Sequence, residues 1–124
     1  MNAPSILVVD DELLIRDLLY DFFTSQGWSI SVAENGEKAL EIIRSRKVDL
    51  VLSDIKMPEM DGLTLSNRLK ETHPGLPVVL MTGFPSVDTA VSALRNKVED
   101  YVIKPFNINQ QYKLLESKLT GAGA

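Results

Sequence analysis

The sequence predicts an α/β protein, a single doubly wound five-stranded parallel sheet flanked by five helices. Two observations predict it. Short apolar runs alternate along the chain with segments whose apolar residues recur at helical spacing. Most of those runs are apolar throughout, as strands covered on both faces are, and they stop at acidic, hydroxyl, glycine or proline residues.

Ser5 to Val9 (Ser-Ile-Leu-Val-Val) is the first buried strand and ends in Asp10-Asp11-Glu12. A helix follows, with Ile15, Leu18, Leu19 and Phe22 at helical spacing and Gly27 placed to stop it. The acidic residues at its start also suit the positive end of the helix dipole. Ser29-Ile30-Ser31-Val32 alternates polar and apolar, which marks a half-exposed strand at a sheet edge, with Trp28 packed beside it. Asn35-Gly36 turns the chain into a second helix, Glu37 to Arg46, that buries Ala39, Leu40 and Ile43.

Leu50-Val51-Leu52 is the central strand. It stops at Ser53-Asp54, and Pro58 with Asp61-Gly62 prevents its continuation. A third helix spans Gly62 to Thr72 with Leu65 and Leu69 inward, and the loop from His73 to Pro77 leads to the strand Val78-Val79-Leu80-Met81. That strand ends in Thr82-Gly83. Ser86 caps a fourth helix carrying Val87, Ala90, Val91 and Leu94 on one face. Asp100 to Ile103 is the last strand, followed by Lys104-Pro105-Phe106 and a final helix, Asn109 to Leu119, that buries Tyr112, Leu115 and Leu119. The whole chain, 1–124, reads as one domain with its core at about 5–119 and a mobile tail at 120–124.

The half-polar second strand belongs at an edge beside the first. Right-handed crossovers then favour the order 2-1-3-4-5, with the switch point between strands one and three. Asp10, Asp11 and Asp54 converge at those strand ends. Carboxylates so close repel one another, and a hard divalent cation relieves them; oxygen-only ligands suit Mg²⁺ better than Zn²⁺. Lys104 adds a point charge and Thr82 a hydroxyl. A carboxylate nucleophile, a metal, an ammonium and a hydroxyl around one small space suit acceptance of a phosphoryl group.

Composition narrows the alternatives. The net charge of −4 argues against a nucleic-acid or anionic-membrane surface. No apolar run approaches the ~20 residues of a membrane span. There is no cysteine, and Met1-Asn2-Ala3-Pro4 lacks the basic region and apolar core of a signal peptide, so a cytoplasmic location is expected. A flavin or nucleotide binder of the same topology needs a phosphate loop where this chain has Asp-Asp-Glu. An aspartyl phosphatase carries its nucleophile after the first strand and needs room for a cap. A pure docking module has no use for the charge cluster.

Asp10-Asp11, Asp54 with Met57-Pro58 and Asp61-Gly62, Thr82-Gly83, Tyr101 and Lys104-Pro105-Phe106 occur in this order from Ser5 to Leu119. On these motifs the chain resembles a bacterial response-regulator receiver domain, a flavodoxin-like fold; Met81 to Val87 also resembles the receivers of nitrogen-regulatory transcription activators. The resemblance implies a two-component signalling switch rather than a turnover enzyme. Asp54 would accept a phosphoryl group from a histidine kinase or histidine phosphotransfer protein. Mg²⁺ would be held by Asp11, Asp54 and the Lys56 backbone carbonyl, with Asp10 acting through water, and Thr82 and Lys104 would hold the phosphoryl oxygens. Thr82 and Tyr101 would form the switch, read out on the face of helix four, strand five and helix five by a homodimer partner or a downstream effector. The Lys104-Pro105 bond would be cis.

Two departures stand out. Lys97-Val98 replaces the family's frequent Gly-Ala after the fourth helix, which puts the path to the last strand in doubt. Lys56 and Phe84 flank the entrance to the acidic pocket, and Phe84, large and apolar, is expected to cover the approach of water.

Overall fold

The computed structural model describes residues 3–119; the expected tail, 120–124, lies outside them. Ten elements alternate: β1 (Ser5–Val9), α1 (Leu13–Ser25), β2 (Ser29–Ala33), α2 (Gly36–Ser45), β3 (Leu50–Asp54), α3 (Gly62–Thr72), β4 (Val78–Thr82), α4 (Val87–Arg95), β5 (Asp100–Ile103) and α5 (Ile108–Leu119). All neighbouring strands pair in parallel, in the order β2-β1-β3-β4-β5. This is the predicted doubly wound, flavodoxin-like sheet, with the half-polar strand at one edge.

The alternation of side chains along each strand divides the core in two. Leu7, Val9, Val51, Val78 and Leu80 pack with Ala39, Ile43, Leu65, Leu69 and Ala93 from α2, α3 and α4. Ile6, Val8, Leu50, Leu52, Val79 and Met81 pack with Leu19, Phe23 and Leu115 from α1 and α5. Trp28, buried, stacks on Phe23 with ring centroids 5.0 Å apart, and Tyr112 lies 5.0 Å from Trp28. Every residue of β3 is buried, Asp54 at its carboxyl end included.

Helical periodicity located the elements better than it located their inner faces. In α1 the fully buried pair is Leu19 and Phe23, while Leu18 is 49% exposed and Phe22 only partly covered. α4 departs further: Val87 and Leu94 are 78% and 79% exposed, and the buried residue is Ala93. The apolar stripe of α4 faces outward because the helix meets the sheet through a small side chain. In α5 the buried residues are Gln111 and Leu115, with Tyr112 and Leu119 partly covered, and His73 sits half-buried as the C-cap of α3.

The ends of α1 and α4 share one motif. After α1, Trp28 N–H donates to the Phe23 carbonyl and Gly27 N–H to that of Thr24, with Gly27 at φ +86°. After α4, Val98 N–H donates to the Ala93 carbonyl and Lys97 N–H to that of Leu94, with Lys97 at φ +56°. Both are Schellman caps. The path from α4 to β5 is therefore the ordinary one, with a lysine in the left-handed position that glycine fills after α1. The substitution Lys97→Gly should stabilise the protein by about 1 kcal/mol, read as a higher urea midpoint at unchanged slope; an unchanged or lower midpoint would show that the lysine carries no strain.

Candidate functional site

Register builds the site. Val9 pairs with Ser53 and Asp54 with Met81, so the chain leaving β1 lies beside the end of β3 at the switch point. Asp10 is fully buried there, Asp54 is 5% exposed and Thr82, the last residue of β4, 1%. Lys104 enters from the end of β5, where its backbone N–H donates to the Thr82 carbonyl at 2.7 Å. Its Nζ reaches Asp10 Oδ2 at 2.7 Å, Glu12 Oε1 at 3.4 Å and Asp54 Oδ2 at 3.5 Å.

The other oxygen of Asp10 accepts the Glu12 N–H at 2.9 Å, and Arg16 donates to the Asp10 carbonyl at 2.9 Å. This turn brings the Glu12 carboxylate alongside. Oxygens of Asp10, Glu12 and Asp54 all lie within 4.8 Å of one another. Asp11 is outside that group. It is exposed and lines, with Lys56, Met57, Pro58 and Asp61, an adjoining pocket of about 460 Å³. Sequence reasoning thus named Asp10 and Asp54 but took Glu12 only as part of a helix start. The signal was its place in the Asp-Asp-Glu run, two residues after a buried aspartate that can accept its amide.

The loop from β3 to α3 folds back under Asp54. Ile55 N–H donates to the Met81 carbonyl at 2.9 Å, and Gly62 N–H to the Ile55 carbonyl at 2.8 Å. Asp61 caps α3 by accepting the Thr64 N–H at 2.8 Å. A Cβ on Gly62 would collide with the Asp54 carbonyl oxygen, which is why Asp61 must be followed by glycine. Glu59 takes φ +68° between Pro58 and Met60, whose carbonyl and amide bond at 2.7 Å in a γ-turn.

On the opposite wall, Thr82 Oγ1 accepts the Phe84 N–H at 3.0 Å. Phe84 is 71% exposed with the Lys56 ammonium 5.2 Å from its ring centroid, so it gives the pocket little of the cover expected of it. Tyr101 is half-buried, its hydroxyl 2.7 Å from Thr89 Oγ1. The Lys104-Pro105 bond is cis.

Burial dominates the electrostatics. It raises the Asp10 pKa despite the Lys104 hydrogen bond, and with the Asp10 charge it raises that of Asp54 to about 6. Burial alone would lower Lys104, but its bond to Asp10 and the charges of Asp10, Asp54 and Glu12 outweigh this and raise it. The chemistry is that of a crowded, oxygen-only donor set beside one fixed cation, and such a set fits a hard divalent ion such as Mg²⁺.

The profile of the response regulator receiver domain matches residues 6–116. The chain belongs to the response regulator receiver family. Among relatives of this receiver, the DNA-binding transcriptional regulator NtrC of Escherichia coli K12 is 41% identical over 120 residues, covering 97% of this chain and 26% of its own length. The chain thus spans about a quarter of the curated relatives it matches. A CheY-like receiver domain from Methanospirillum hungatei JF-1 superposes with a TM-score of 0.92 at 28% identity, covering 96% of this chain and 95% of its own. The response regulator TrrA from Thermotoga maritima, solved in complex with Mg²⁺-BeF, gives a TM-score of 0.83 at 33% identity, covering 92% and 97%. Among the described residues of this receiver, no helix is long and apolar enough to cross a membrane.

The Asp54 environment has a measurable cost. In the fold Asp54 holds its proton up to about pH 6, but in the unfolded chain only to roughly pH 4. It therefore contributes stability that is present below ~pH 4 and lost as pH rises to about 6. With chelator present, Asp54→Asn should be more stable than the parent at pH 7.5 by on the order of 2 kcal/mol, an advantage that shrinks towards pH 4. Urea titrations across that range test this, and a difference independent of pH would contradict it.

Proposed function

We propose that this receiver is a phosphorylation-activated switch of a two-component system, with Asp54 as the phosphoacceptor. The observation that carries the reading is the Lys104 ammonium within reach of Asp10, Glu12 and Asp54 at the switch point of the sheet. A histidine kinase or histidine phosphotransfer protein presents a phosphohistidine. An Asp54 oxygen forms a bond to phosphorus as the P–N bond breaks, and the electron pair returns to the imidazole. Lys104 and the Thr82 hydroxyl hold phosphoryl oxygens, and the main chain holds Asp54 in place through Ile55 and Gly62. Asp11, Asp54 and the Lys56 carbonyl would hold Mg²⁺, with Asp10 acting through water. Bound there, the ion neutralises charge on the carboxylates and the transferring group. The protein turns over no external substrate beyond its own phosphorylation and slow dephosphorylation.

The signal leaves through Thr82 and Tyr101 to the face made by α4, β5 and α5. That face exposes Val87, Val91, Leu94 and Ile103, which suits a second copy of the receiver or an effector, as a domain or a separate protein. The acidic net charge leaves nucleic-acid contact to that effector. The cytoplasm, where kinase and effector meet, is the proposed location.

Acetyl phosphate with Mg²⁺ should add one hydroxylamine-sensitive phosphoryl group by intact mass, absent from Asp54→Asn and from chelator-treated protein. Full modification of Asp54→Asn would reject the assignment. Saturating Mg²⁺ should also raise the melting temperature, and Asp11→Ala should reduce that rise. If Glu12→Gln reduces it and Asp11→Ala does not, the metal sits on the Lys104 side of the pocket.

A further inference from the structure

The hydroxyl of Tyr101 does not end in solvent. It lies 2.7 Å from Thr89 Oγ1, in the first turn of α4. Thr89 Oγ1 is in turn 3.0 Å from Ser86 Oγ and 3.2 Å from the Ser86 carbonyl, while Ser86 Oγ accepts the Thr89 N–H at 3.1 Å as the helix N-cap. The donors and acceptors close without conflict. Tyr101 O–H donates to Thr89 Oγ1, Thr89 O–H donates to the Ser86 carbonyl, and Ser86 Oγ keeps a lone pair for the helix amide.

We infer that Thr89 is a positioning residue for Tyr101: in the unmodified protein it holds the ring against the N-terminal turn of α4 and so sets how readily the switch is thrown. The inference rests on the proposed role of Tyr101 and adds a residue to it. Three observations support it. Tyr101 and Thr89 are both half-buried, so the bond is partly shielded from competing water. The Tyr101 backbone is fixed independently, by pairing with Leu80 and by its N–H donating to Asp100 Oδ1 at 2.8 Å, so the side chain is the part left to move. The same capped turn presents Val87, 78% exposed, on the outward face. The ring and Val87 thus share one turn of α4. The net value of one such hydrogen bond corresponds to a shift of roughly two- to tenfold in a two-state population.

Thr89→Val keeps the shape and removes the hydroxyl; Thr89→Ser keeps the hydroxyl. Beryllofluoride titrated into the full chain at saturating Mg²⁺, followed by amide resonances, should bind Thr89→Val about two- to tenfold more tightly than the parent, and Thr89→Ser like the parent. In a Tyr101→Phe background, Thr89→Val should change the affinity no further. Equal or weaker binding by Thr89→Val, or the same gain without the Tyr101 hydroxyl, would overturn the inference. A second readout needs no ligand: the Tyr101 ring resonances should move in Thr89→Val and stay in Thr89→Ser, and their failure to move would overturn it as well. Absence of beryllofluoride binding to the parent would instead count against the phosphoacceptor reading, with the ring resonances still deciding whether Thr89 holds Tyr101.

Discussion

One ammonium group makes this site possible. Asp10 and Asp54 are buried side by side where two strands end, and neither could remain ionised there without a neighbouring positive charge. Lys104 supplies it, and its own placement depends on the rest of the sheet: its amide is pinned to the Thr82 carbonyl, so the cation arrives with the last strand. Even so, burial wins, and both carboxyl groups stay harder to ionise than usual. The protein carries this destabilisation in its core, as expected where function rather than stability sets the residues. A cation bound there would relieve it.

The doubly wound sheet is what allows so much polarity at one end of a dry core. Because alternate residues of β1, β3 and β4 serve opposite cores, these central strands are apolar along their buried lengths, and their carboxyl ends are free to carry chemistry. The acidic run after β1, the aspartate of β3, the threonine of β4 and the lysine after β5 all use that freedom.

The architecture was readable because its signals are local: apolar runs for strands, the breaks at Asn35-Gly36 and Asp61-Gly62, Ser86 as a cap, and Gly27 after α1. Strand order followed from one half-polar strand and the handedness of crossovers. What stayed hidden depends on contacts between distant segments. Glu12 joins Lys104 only because Asp10 accepts its amide and turns the chain. The stripe on α4 has the spacing of an inner face, yet Ala93 seats the helix and turns the stripe outward. Gln111 is buried although nothing in its composition distinguishes it from the exposed Gln110 beside it. The left-handed Lys97 shows that cap geometry outlasts the residue best suited to it.

The contact between Gly62 and the Asp54 main chain makes the surroundings of Asp54 sterically unequal. On that side, α3 abuts the strand with no room even for a methyl group, so it acts as an anvil. On the other side, Ala93 is the one buried residue of α4, which shows its larger apolar side chains to water. Asp54 is thus hemmed in tightly where α3 begins and loosely along α4.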